Sequence, residues 1–467
     1  MQRTERAIRS MPPTIMPSPD KSQRVPNRQQ IKLHHAALCF YPMTRPLDFA
    51  ALIGLDWADQ RHALCLYDCA SAQCETATLA QTPEAIARWA EALRERFGGR
   101  PVALCLEQAK GPLINSLLSY EWLTLYPVNP ATSARYRQAF KTSRAKDDPG
   151  DARVCLELLL HHRAKLTPLL LDDGRTRQLA RLLEARRGAV DLRTLLTNML
   201  RDTLKSYYPQ ALALAGQDLF APMAGQFLLK WPSLQRLQKA RPESVRKFYY
   251  AHRCRRRELI DKRLAAIAEM TPLSNDAALL EPGKLQVTML ARQLLALGQA
   301  IATYDTKIEE LFATHPEAGL WESFPGAGPT LAPRLCCAFG SVRSRYPEAQ
   351  AIQQYSGIAP VTEKSGKNQH WVHRRYSRPH FVHQSFFEYA GQSALHCAWA
   401  KLFLQEQIAR GKSHPSAVRA LAFKWQRIMF VCWRDRVPYD ETKYLAALQK
   451  RGSFLSSRLA SSLKEAA

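Results

Sequence analysis

Residues 50–58 read AALIGLDWA, a short apolar run that ends in the single carboxylate Asp56. A polar turn, DQR at 59–61, and a second apolar run at 63–67 come directly after it. Two short apolar runs separated by a polar turn are typical of a β-hairpin with buried strands. The sequence therefore predicts that a sheet begins at about residue 50 and that Asp56 stands at the end of its first strand.

Helix and strand patterns alternate after this hairpin. Thr82-Pro83-Glu84 forms a helix start, and the helical pattern that follows it stops at Gly98-Gly99. Apolar strand patterns lie at 101–106 and 123–128, and another helix is predicted from about Asp151. The predicted order is strand-strand-helix-strand-helix-strand-helix, which indicates an α/β fold.

A long helical segment is predicted at residues 172–312. Apolar side chains recur there at alternating spacings of three and four, once at 182–199 and again at 290–311. Such seams pack as an antiparallel hairpin or as a dimer interface, and an intramolecular helical bundle is the alternative. We expect the seams to help assemble an oligomer, so that polar substitutions at Leu294 and Ile301 weaken it.

Changes in composition divide the chain into five segments. They are a flexible basic N-terminal extension at 1–47, an α/β domain at 48–168, the helical coiled-coil segment at 172–312, a more basic and aromatic, mainly helical domain at 318–445 and a tail at 446–467. The extension has so little periodicity that Met43 is an alternative start of the protein.

The overall charge points to a polyanionic partner. Lys and Arg number 66 against 41 Asp and Glu, which gives a formal net charge of +25 over 467 residues. A surplus of this size favours nucleic acid through phosphate neutralisation, and an acidic membrane surface is the lesser alternative.

Membrane insertion and disulfides are not expected. No apolar run approaches the roughly 18 to 20 residues of a membrane span, and the N-terminus lacks a compact apolar stretch with a cleavage site. We therefore expect the protein to stay in the cytoplasm. The 11 cysteines lie in apolar segments without a Cys-x-x-Cys pair, which indicates reduced core thiols.

Four carboxylates stand out against the strand pattern. Asp56 and Glu107 end two strands, and Asp148 and Asp151 open a helix at a spacing that puts both on one face. Taken singly, each Asp is explained as a helix cap or a solvated turn, Asp148 above all. As a set they suggest a site for two divalent metal ions, because converging carboxylates need a compensating cation.

Two glycine-containing segments in the second half suggest phosphate contacts. Residues 324–332 read FPGAGPTLA and resemble the hairpin of a helix-hairpin-helix, in which Gly326 and Gly328 would bring backbone N–H groups close to a phosphate. A plain turn between helices is the alternative. Further on, Lys364-Ser365-Gly366-Lys367 places a serine between two lysines. From the residues alone, a phosphate-gripping loop and a phosphoryl-transfer nucleophile are equally good interpretations.

The histidines that follow invite a zinc interpretation, which we do not favour. His370, His373, His380 and His383 have no cysteine partners. They are interleaved with cationic and aromatic side chains, which are suited to neutralising the phosphate backbone of a nucleic acid and to stacking on its bases. These are Trp371, Arg374, Arg375, Tyr376, Arg378 and Phe381. Trp425, Met429 and Trp433 recur at helical spacing instead, which indicates core positions.

These motifs together resemble the DEDD transposases of the IS110 family of bacterial insertion sequences, over roughly residues 50–445. The resemblance is carried by GLDWA at 54–58, by Glu107, by the KDDPGDA block at 146–152, and by the glycine and serine segments of the second half. Residues 370–390, with RGK at 410–412 and the helix at 417–433, look closest to the IS1111 branch of that family.

The resemblance implies a RuvC-like domain of RNase H fold, with Asp56, Glu107, Asp148 and Asp151 as ligands of two magnesium ions. Asp147 is the alternative third ligand, although the Asp-x-x-Asp spacing favours Asp148. It also implies a C-terminal transposase domain whose nucleophile is Ser365. The implied partners are donor and target DNA, a noncoding bridge RNA, and further copies of the chain, as a homodimer that assembles to a tetramer. The resemblance also implies a bacterial protein that associates with the nucleoid.

Three other functions fit parts of the sequence. A RuvC-like Holliday-junction or structure-specific endonuclease shares the carboxylates but needs neither the long helical segment nor Ser365. A DEDD exonuclease normally has Asp-x-Glu in its first motif, whereas this chain reads Asp56-Trp57-Ala58. A non-catalytic basic nucleic-acid binder accounts for the charge and leaves the strand-end carboxylates unexplained.

Overall fold

The computed structural model of the protein describes residues 48–140, 148–365 and 369–453, together with Leu455 and Arg458. The chain forms two compact units, one that ends at Leu169 and one that begins at Leu170. The predicted extension at 1–47 and most of the tail therefore lie outside the described residues. Among the described residues, no helix is both long and apolar enough to cross a membrane.

The first unit is built on a mixed five-stranded sheet of order β3-β2-β1-β4-β5. Strands β1, β2 and β3 are antiparallel neighbours, whereas β4 and β5 run parallel to β1. The elements are β1 (Ala51–Asp56), β2 (Arg61–Asp68), β3 (Gln73–Ala80), α1 (Pro83–Arg96), β4 (Val102–Leu106), α2 (Pro112–Leu117), β5 (Leu123–Pro127), α3 (Pro130–Phe140) and α4 (Asp148–His162). The predicted hairpin, the helix start at Thr82 and both later strands are confirmed.

The sequence prediction missed strand β3. Its residues, QCETATLA, are mostly exposed, and the strand pairs only with β2 at the edge of the sheet. An edge strand with little buried surface lacks the apolar run or strict alternation by which strands are recognised. The predicted element order is therefore wrong by one strand between the hairpin and α1, and it also lacks helix α3, which lies between β5 and α4.

Apolar side chains cover both faces of the sheet. One cluster joins the sheet to α1 and α2, and a second joins Leu52, Ala103 and Cys105 to α4. The second face admits α4 unusually closely at Gly54. A Cβ atom there would lie 1.9 Å from the Ala152 carbonyl oxygen and 2.4 Å from the Leu156 nitrogen. Gly54 is thus required because the α4 backbone occupies the space of its missing side chain.

Replacing Gly54 by Ala is expected to destabilise the first unit by about 3 kcal/mol, since overpacking against backbone atoms cannot be relieved by a rotamer change. Chemical denaturation of the full chain measures this. Gly188→Ala is the matched control, because that helical glycine has no atom within 4 Å of the added Cβ. The control should stabilise the protein by roughly 0.5 to 1 kcal/mol, and equal behaviour of the two variants would contradict the packing argument.

Two long antiparallel helices, α5 (Gly174–Tyr207) and α11 (Ala277–Ala313), organise the first half of the second unit. Their direction follows from three contacts. Arg175 donates to the Thr314 carbonyl oxygen over 2.8 Å, Arg186 pairs with Asp305, and Tyr207 packs on Gly283. Five shorter helices connect them and close a common core: α6 (Ala211–Leu214), α7 (Pro222–Lys230), α8 (Leu234–Gln238), α9 (Pro242–Ala251) and α10 (Arg257–Glu269).

The structure corrects the prediction for the helical seams in two ways. Leu294 and Ile301 are buried within the single chain, so they do not form an intermolecular surface and their substitution would damage the fold. The seam of α5 is also displaced by one residue. Leu183 and Leu200 are buried, whereas the predicted Leu192 and Met199 are exposed by 45% and 39%. A period of 3.5 or 3.6 fixes the spacing of a seam but leaves its starting phase to the tertiary contacts.

The rest of the second unit is a helical bundle with one small hairpin of strands. Its elements are α12 (Ala318–Glu322), α13 (Gly328–Phe339), α14 (Ala349–Tyr355), β6 (Val361–Ser365), β7 (Gln369–His373), α15 (His380–His396), α16 (Ala398–Ala409), α17 (His414–Asp435) and α18 (Glu441–Lys450). Trp425, Met429 and Trp433 are fully buried in its aromatic core, which confirms their prediction as core residues. An α/β unit followed by a mostly helical unit is the fold class that the sequence predicts.

Candidate functional site

Asp56 and Glu107 stand side by side at one edge of the sheet. Strands β1 and β4 are parallel and hydrogen-bonded, and Leu55 pairs with Leu106 in their register. Asp56 and Glu107 are each one residue further along. Because side chains alternate between faces, both carboxylates lie on the face that Gly54 and Cys105 present to α4.

The thiol of Cys155 on α4 is influenced by both carboxylates. Its pKa is raised well above the ordinary value, first by a hydrogen bond with Cys105 and by burial, and then by the negative charges of Glu107 and Asp56. A thiolate is disfavoured where carboxylates are close. The negative charges of both carboxylates therefore act on Cys155, which lies one helical turn after Asp151 in α4.

Asp151 brings a third carboxylate to this face. It lies in the first turn of α4 and is 4% exposed. The next residue, Ala152, is the one whose carbonyl oxygen contacts Gly54. The Oδ1 atom of Asp151 is 2.5 Å from Nη2 of Arg137. Asp148 is the first residue of α4, three positions before Asp151. The Asp148 side chain and all of Asp147 lie outside the described part, so the choice between them stays a prediction.

Helix α3 supplies two partners that the sequence prediction did not include. The buried hydroxyl of Ser133 donates a hydrogen bond to Oε1 of Glu107, and Arg137, four residues later, pairs with Asp151. The spacing of four puts both on one helix face. In the sequence these two residues lie in a polar stretch after a buried strand, and nothing in that stretch singles out their positions.

The chemistry of the carboxylate set fits a hard divalent cation. All of its donors are oxygen atoms, the kind that Mg²⁺ prefers, and Arg137 pairs with one of the carboxylates, Asp151. Within that same part, no three His, Cys, Asp or Glu side chains are grouped closely enough to hold a metal ion as they stand.

Ser365 is placed by its backbone at the end of a tight hairpin. It is the last residue of β6 and pairs with Gln369, the first residue of β7. The predicted Gly366 and Lys367 lie outside the described residues, as do the side chains of Lys364 and Ser365. The structure thus places the backbone of Lys364 and Ser365 at the end of β6 and leaves the role of the whole Lys-Ser-Gly-Lys segment a prediction.

An arginine cluster without acidic partners follows this hairpin. The pKa of Arg378 is lowered by burial and then by the charges of Arg374 and Arg419, and the pKa of Arg419 is lowered by burial and by Arg374. None of these arginines, nor Arg375, has a carboxylate within 4 Å among the described residues. Like charges gathered in a half-buried site are costly unless an anion joins them. The cluster therefore suits a phosphate group.

The candidate helix-hairpin-helix has short-turn geometry. Helices α12 and α13 are joined through Gly326 and Gly328, whose φ angles are +77° and +54°. The groove beside this turn also contains Glu388, which pairs with the buried Arg334. The glycines meet a backbone requirement, because these φ values are costly for other residues. Their contact with a phosphate remains a prediction.

Two family models match the chain. One, described as a DEDD transposase of the IS110 type, matches residues 53–209, and the other, described as a transposase of the IS116/IS110/IS902 family, matches residues 318–405. Together they span more than half of the sequence and include the carboxylates and Ser365. The chain belongs to the IS110 family of transposases.

Individual relatives agree with this family. The chain is similar to the mini-circle transposase candidate of IS117 from Streptomyces coelicolor, with 27% identity over 401 residues that cover 85% of this chain and 96% of the relative. It is also similar to the 43.6 kDa protein of insertion element IS110 from the same organism, with 27% identity over 63% of this chain and 72% of the relative. A 44.8 kDa protein of IS116 from Streptomyces clavuligerus is 30% identical over 33% of the chain and 40% of the relative.

Arg419 is a residue near the arginine pair of Arg374 and Arg378 that the sequence analysis did not single out. It lies in α17, more than 40 residues after Arg374 and Arg378, and no motif surrounds it. Only the fold brings it to them. The charges of Arg374, Arg378 and Arg419 act on one another. Arg378 also donates a hydrogen bond to the backbone carbonyl oxygen of Arg375.

His383 provides a pH test of this region. Its pKa is lowered to about 4 by burial first and then by Arg378, against a hydrogen bond to the Ser356 carbonyl oxygen, with Arg374 and Arg419 adding to the decrease. The unfolded chain takes up a proton at about pH 6.5, whereas the folded chain does so only near pH 4. Stability is therefore fully present above pH 6.5 and is lost as the pH falls toward 4.

We expect His383→Gln to flatten that part of the stability profile, measured by denaturation between pH 4 and 7. His380→Gln is the matched control, because His380 is exposed at the start of the same helix, α15. A control profile that flattens equally, or a His383→Gln profile as steep as that of the wild type, would contradict the assignment.

Proposed function

We propose that this chain is the transposase of an insertion sequence that cuts and rejoins DNA through magnesium-binding carboxylates and a covalent phosphoserine intermediate. The observation that carries the proposal is the pairing of Asp56 and Glu107 at adjacent strand ends beside the N-terminus of α4. Membership of a transposase family supports the same function. We further propose an RNase H-like, RuvC-like fold for residues 48–168, which the order and directions of the five strands support.

The metal ligands in this proposal are Asp56, Glu107, Asp148 and Asp151. Two bound magnesium ions would polarise a scissile phosphate and stabilise charge on its oxygens. Ser133 fixes the orientation of the Glu107 carboxylate, and Arg137 balances the charge of Asp151 when no ion is bound. These two α3 residues are therefore positioning residues, since neither would touch the phosphate.

Ser365 is the proposed nucleophile. Its hydroxyl oxygen bonds to the phosphorus, the bond from phosphorus to one DNA oxygen breaks, and that oxygen leaves as a hydroxyl after taking up a proton while the serine gives one up. The phosphodiester energy is kept in the serine ester, which a new DNA hydroxyl can attack to restore the DNA linkage. Water in place of serine would lose that energy and leave a cut.

Several cationic and glycine positions are proposed to hold nucleic acid near this chemistry. The arginine cluster of Arg374, Arg378 and Arg419 would neutralise a phosphate, which its lack of acidic partners supports. The remaining proposed contacts are Gly326, Gly328, Lys364, Gly366, Lys367 and Arg375. We also propose the finer domain division at 172–312, 318–445 and 446–467 within the second unit.

A noncoding bridge RNA and further copies of the chain are the proposed partners besides donor and target DNA. The α5 helix supports self-association through a surface that includes two residues of the predicted seam, Leu192 and Met199. Leu192, Leu195 and Met199 form an apolar stripe that is exposed by 45%, 57% and 39%. A second copy could cover this stripe and so form the homodimer that assembles to a tetramer.

Incubation of the purified chain with donor and target plasmids, magnesium and the RNA that copurifies with it tests the function. Strand exchange is expected, and sequencing of the copurified RNA should identify a transcript of the flanking element. Cleavage of branched DNA alone, without rejoining, would favour the second candidate, a junction-resolving endonuclease. Binding without any cleavage would indicate a non-catalytic nucleic-acid binder.

A further inference from the structure

The helical insert between α5 and α11 carries a concentrated positive charge. Residues 230–263 contain twelve Lys and Arg against three Asp and Glu, a net charge of +9 within a chain of net charge +25. Residues 210–317 lie outside both family matches, so nothing in the family descriptions accounts for this charge.

The charge is concentrated where α9 meets α10. Arg253, Arg255, Arg256 and Arg257 follow one another around this turn, and Lys262 lies one turn further along α10, all of them exposed. A shallow groove is lined by Arg256, Arg257, Glu258, Leu259 and Lys262. The surface thus presents cations along a continuous stretch of backbone.

The acidic residues of the insert leave most of these cations uncompensated. Glu243 pairs with Arg246, and Asp261 pairs with Arg246 and lies 3.8 Å from Arg257. Glu258 is the third and last acid of the stretch. Within this fully described stretch, no carboxylate lies within 4 Å of Arg253, Arg255, Arg256 or Lys262.

Arg253 also occupies a backbone position that disfavours it. Its φ angle is +62°, directly after the C-cap of α9, where glycine is the residue that adopts this conformation without cost. A residue other than glycine carries a conformational cost at such a position. What Arg253 offers there that glycine lacks is an exposed cationic side chain.

We propose that the α9–α10 turn and the first turns of α10 form a docking surface for the phosphate backbone of duplex DNA. The inference rests on the proposed function, because it takes the DNA on which the enzyme acts as the ligand. Exposed cations without acidic partners suit phosphates, which they bind with release of counterions. Single-stranded nucleic acid fits less well, since Tyr250 is the one large aromatic side chain exposed within residues 230–263 and stacking platforms use several.

The test compares two triple variants of the full chain. In Arg255→Gln/Arg256→Gln/Lys262→Gln the unpaired cations are neutralised. The control, Lys284→Gln/Lys307→Gln/Lys443→Gln, removes the same number of charges from lysines that already pair with Glu281, Glu310 and Asp440. Fluorescence anisotropy with a random-sequence 30-base-pair DNA duplex is recorded from about 50 to 200 mM KCl, a range in which phosphate contacts dominate the salt dependence.

We expect the first variant to bind the duplex at least about tenfold more weakly at 100 mM KCl, with a salt slope reduced by about 2 to 3. The control should keep the wild-type slope. Equal slopes for the two variants would overturn the proposal. An RNA duplex of the same sequence forms a second arm, and a loss of affinity confined to RNA would overturn the assignment to DNA.

Arg253→Gly separates binding from stability. Removing a side chain from a left-handed backbone position should leave the melting temperature unchanged or raised, while DNA affinity falls several-fold. A lowered melting temperature with unchanged affinity would mean that Arg253 is structural and would overturn its role. The proposed function fails separately, as an absence of strand exchange by the wild-type chain, whatever the salt slopes of the variants are.

Discussion

Strand exchange is expected to be lost when Asp56 is replaced by Asn or Glu107 by Gln. Each change removes a negative charge directed at the same face of α4 and leaves the shape of the side chain nearly unchanged. Loss of a metal-directed carboxylate removes several kcal/mol of transition-state stabilisation, so the rate should fall by about a thousandfold or more. Nucleic-acid binding should survive, because the cations that contact phosphate remain.

The assay measures joined products from donor and target DNA in magnesium, with binding followed separately. Asp59→Asn and Glu121→Gln are the matched controls, since both are exposed residues of the same unit and undergo the same chemical change. The controls should recombine normally. Full activity of either Asp56→Asn or Glu107→Gln would rule out the carboxylate site, and unfolding of these variants would be detected by denaturation.

Replacing Ser365 by Ala should abolish recombination and also prevent any covalent joining of protein to DNA. The variant lacks the hydroxyl oxygen that would form the phosphoserine ester, so neither cutting with energy conservation nor rejoining can proceed. DNA binding should persist, because the flanking lysines and the arginine cluster are untouched. The expected loss is complete within detection, since no other group can hold the ester.

Trapped wild-type reactions, digested and analysed by mass spectrometry, should contain a nucleotide attached to the peptide that carries Ser365. Ser377→Ala is the matched control, because Ser377 is an exposed serine a few residues after the same hairpin. The control should recombine and form the adduct. Unmodified peptide together with normal recombination by Ser365→Ala would exclude the covalent mechanism. An adduct on another residue would keep a covalent mechanism and reassign its nucleophile.

The sequence by itself determined those helices and strands that depend on residues close together in the chain. The apolar run at 50–55, the helix cap at Thr82 and the strands before Glu107 are fixed by hydrophobicity and by short-range hydrogen bonding. For the same reason the sequence alone predicts that Asp56 and Glu107 stand at strand ends. Once two parallel strands are recognised, their carboxyl ends must lie at one edge of the sheet.

Tertiary structure decided whatever depends on residues far apart in sequence. The edge strand β3 has too little buried surface to be recognised, and the phase of the α5 seam depends on which face meets α11. Ser133 and Arg137 become partners of Glu107 and Asp151 only because α3 crosses the strand ends. Arg419 joins Arg374 and Arg378 only through the packing of α17. Periodicity shows which side chains share a face, but the neighbour of that face is chosen by packing energy summed over the whole unit.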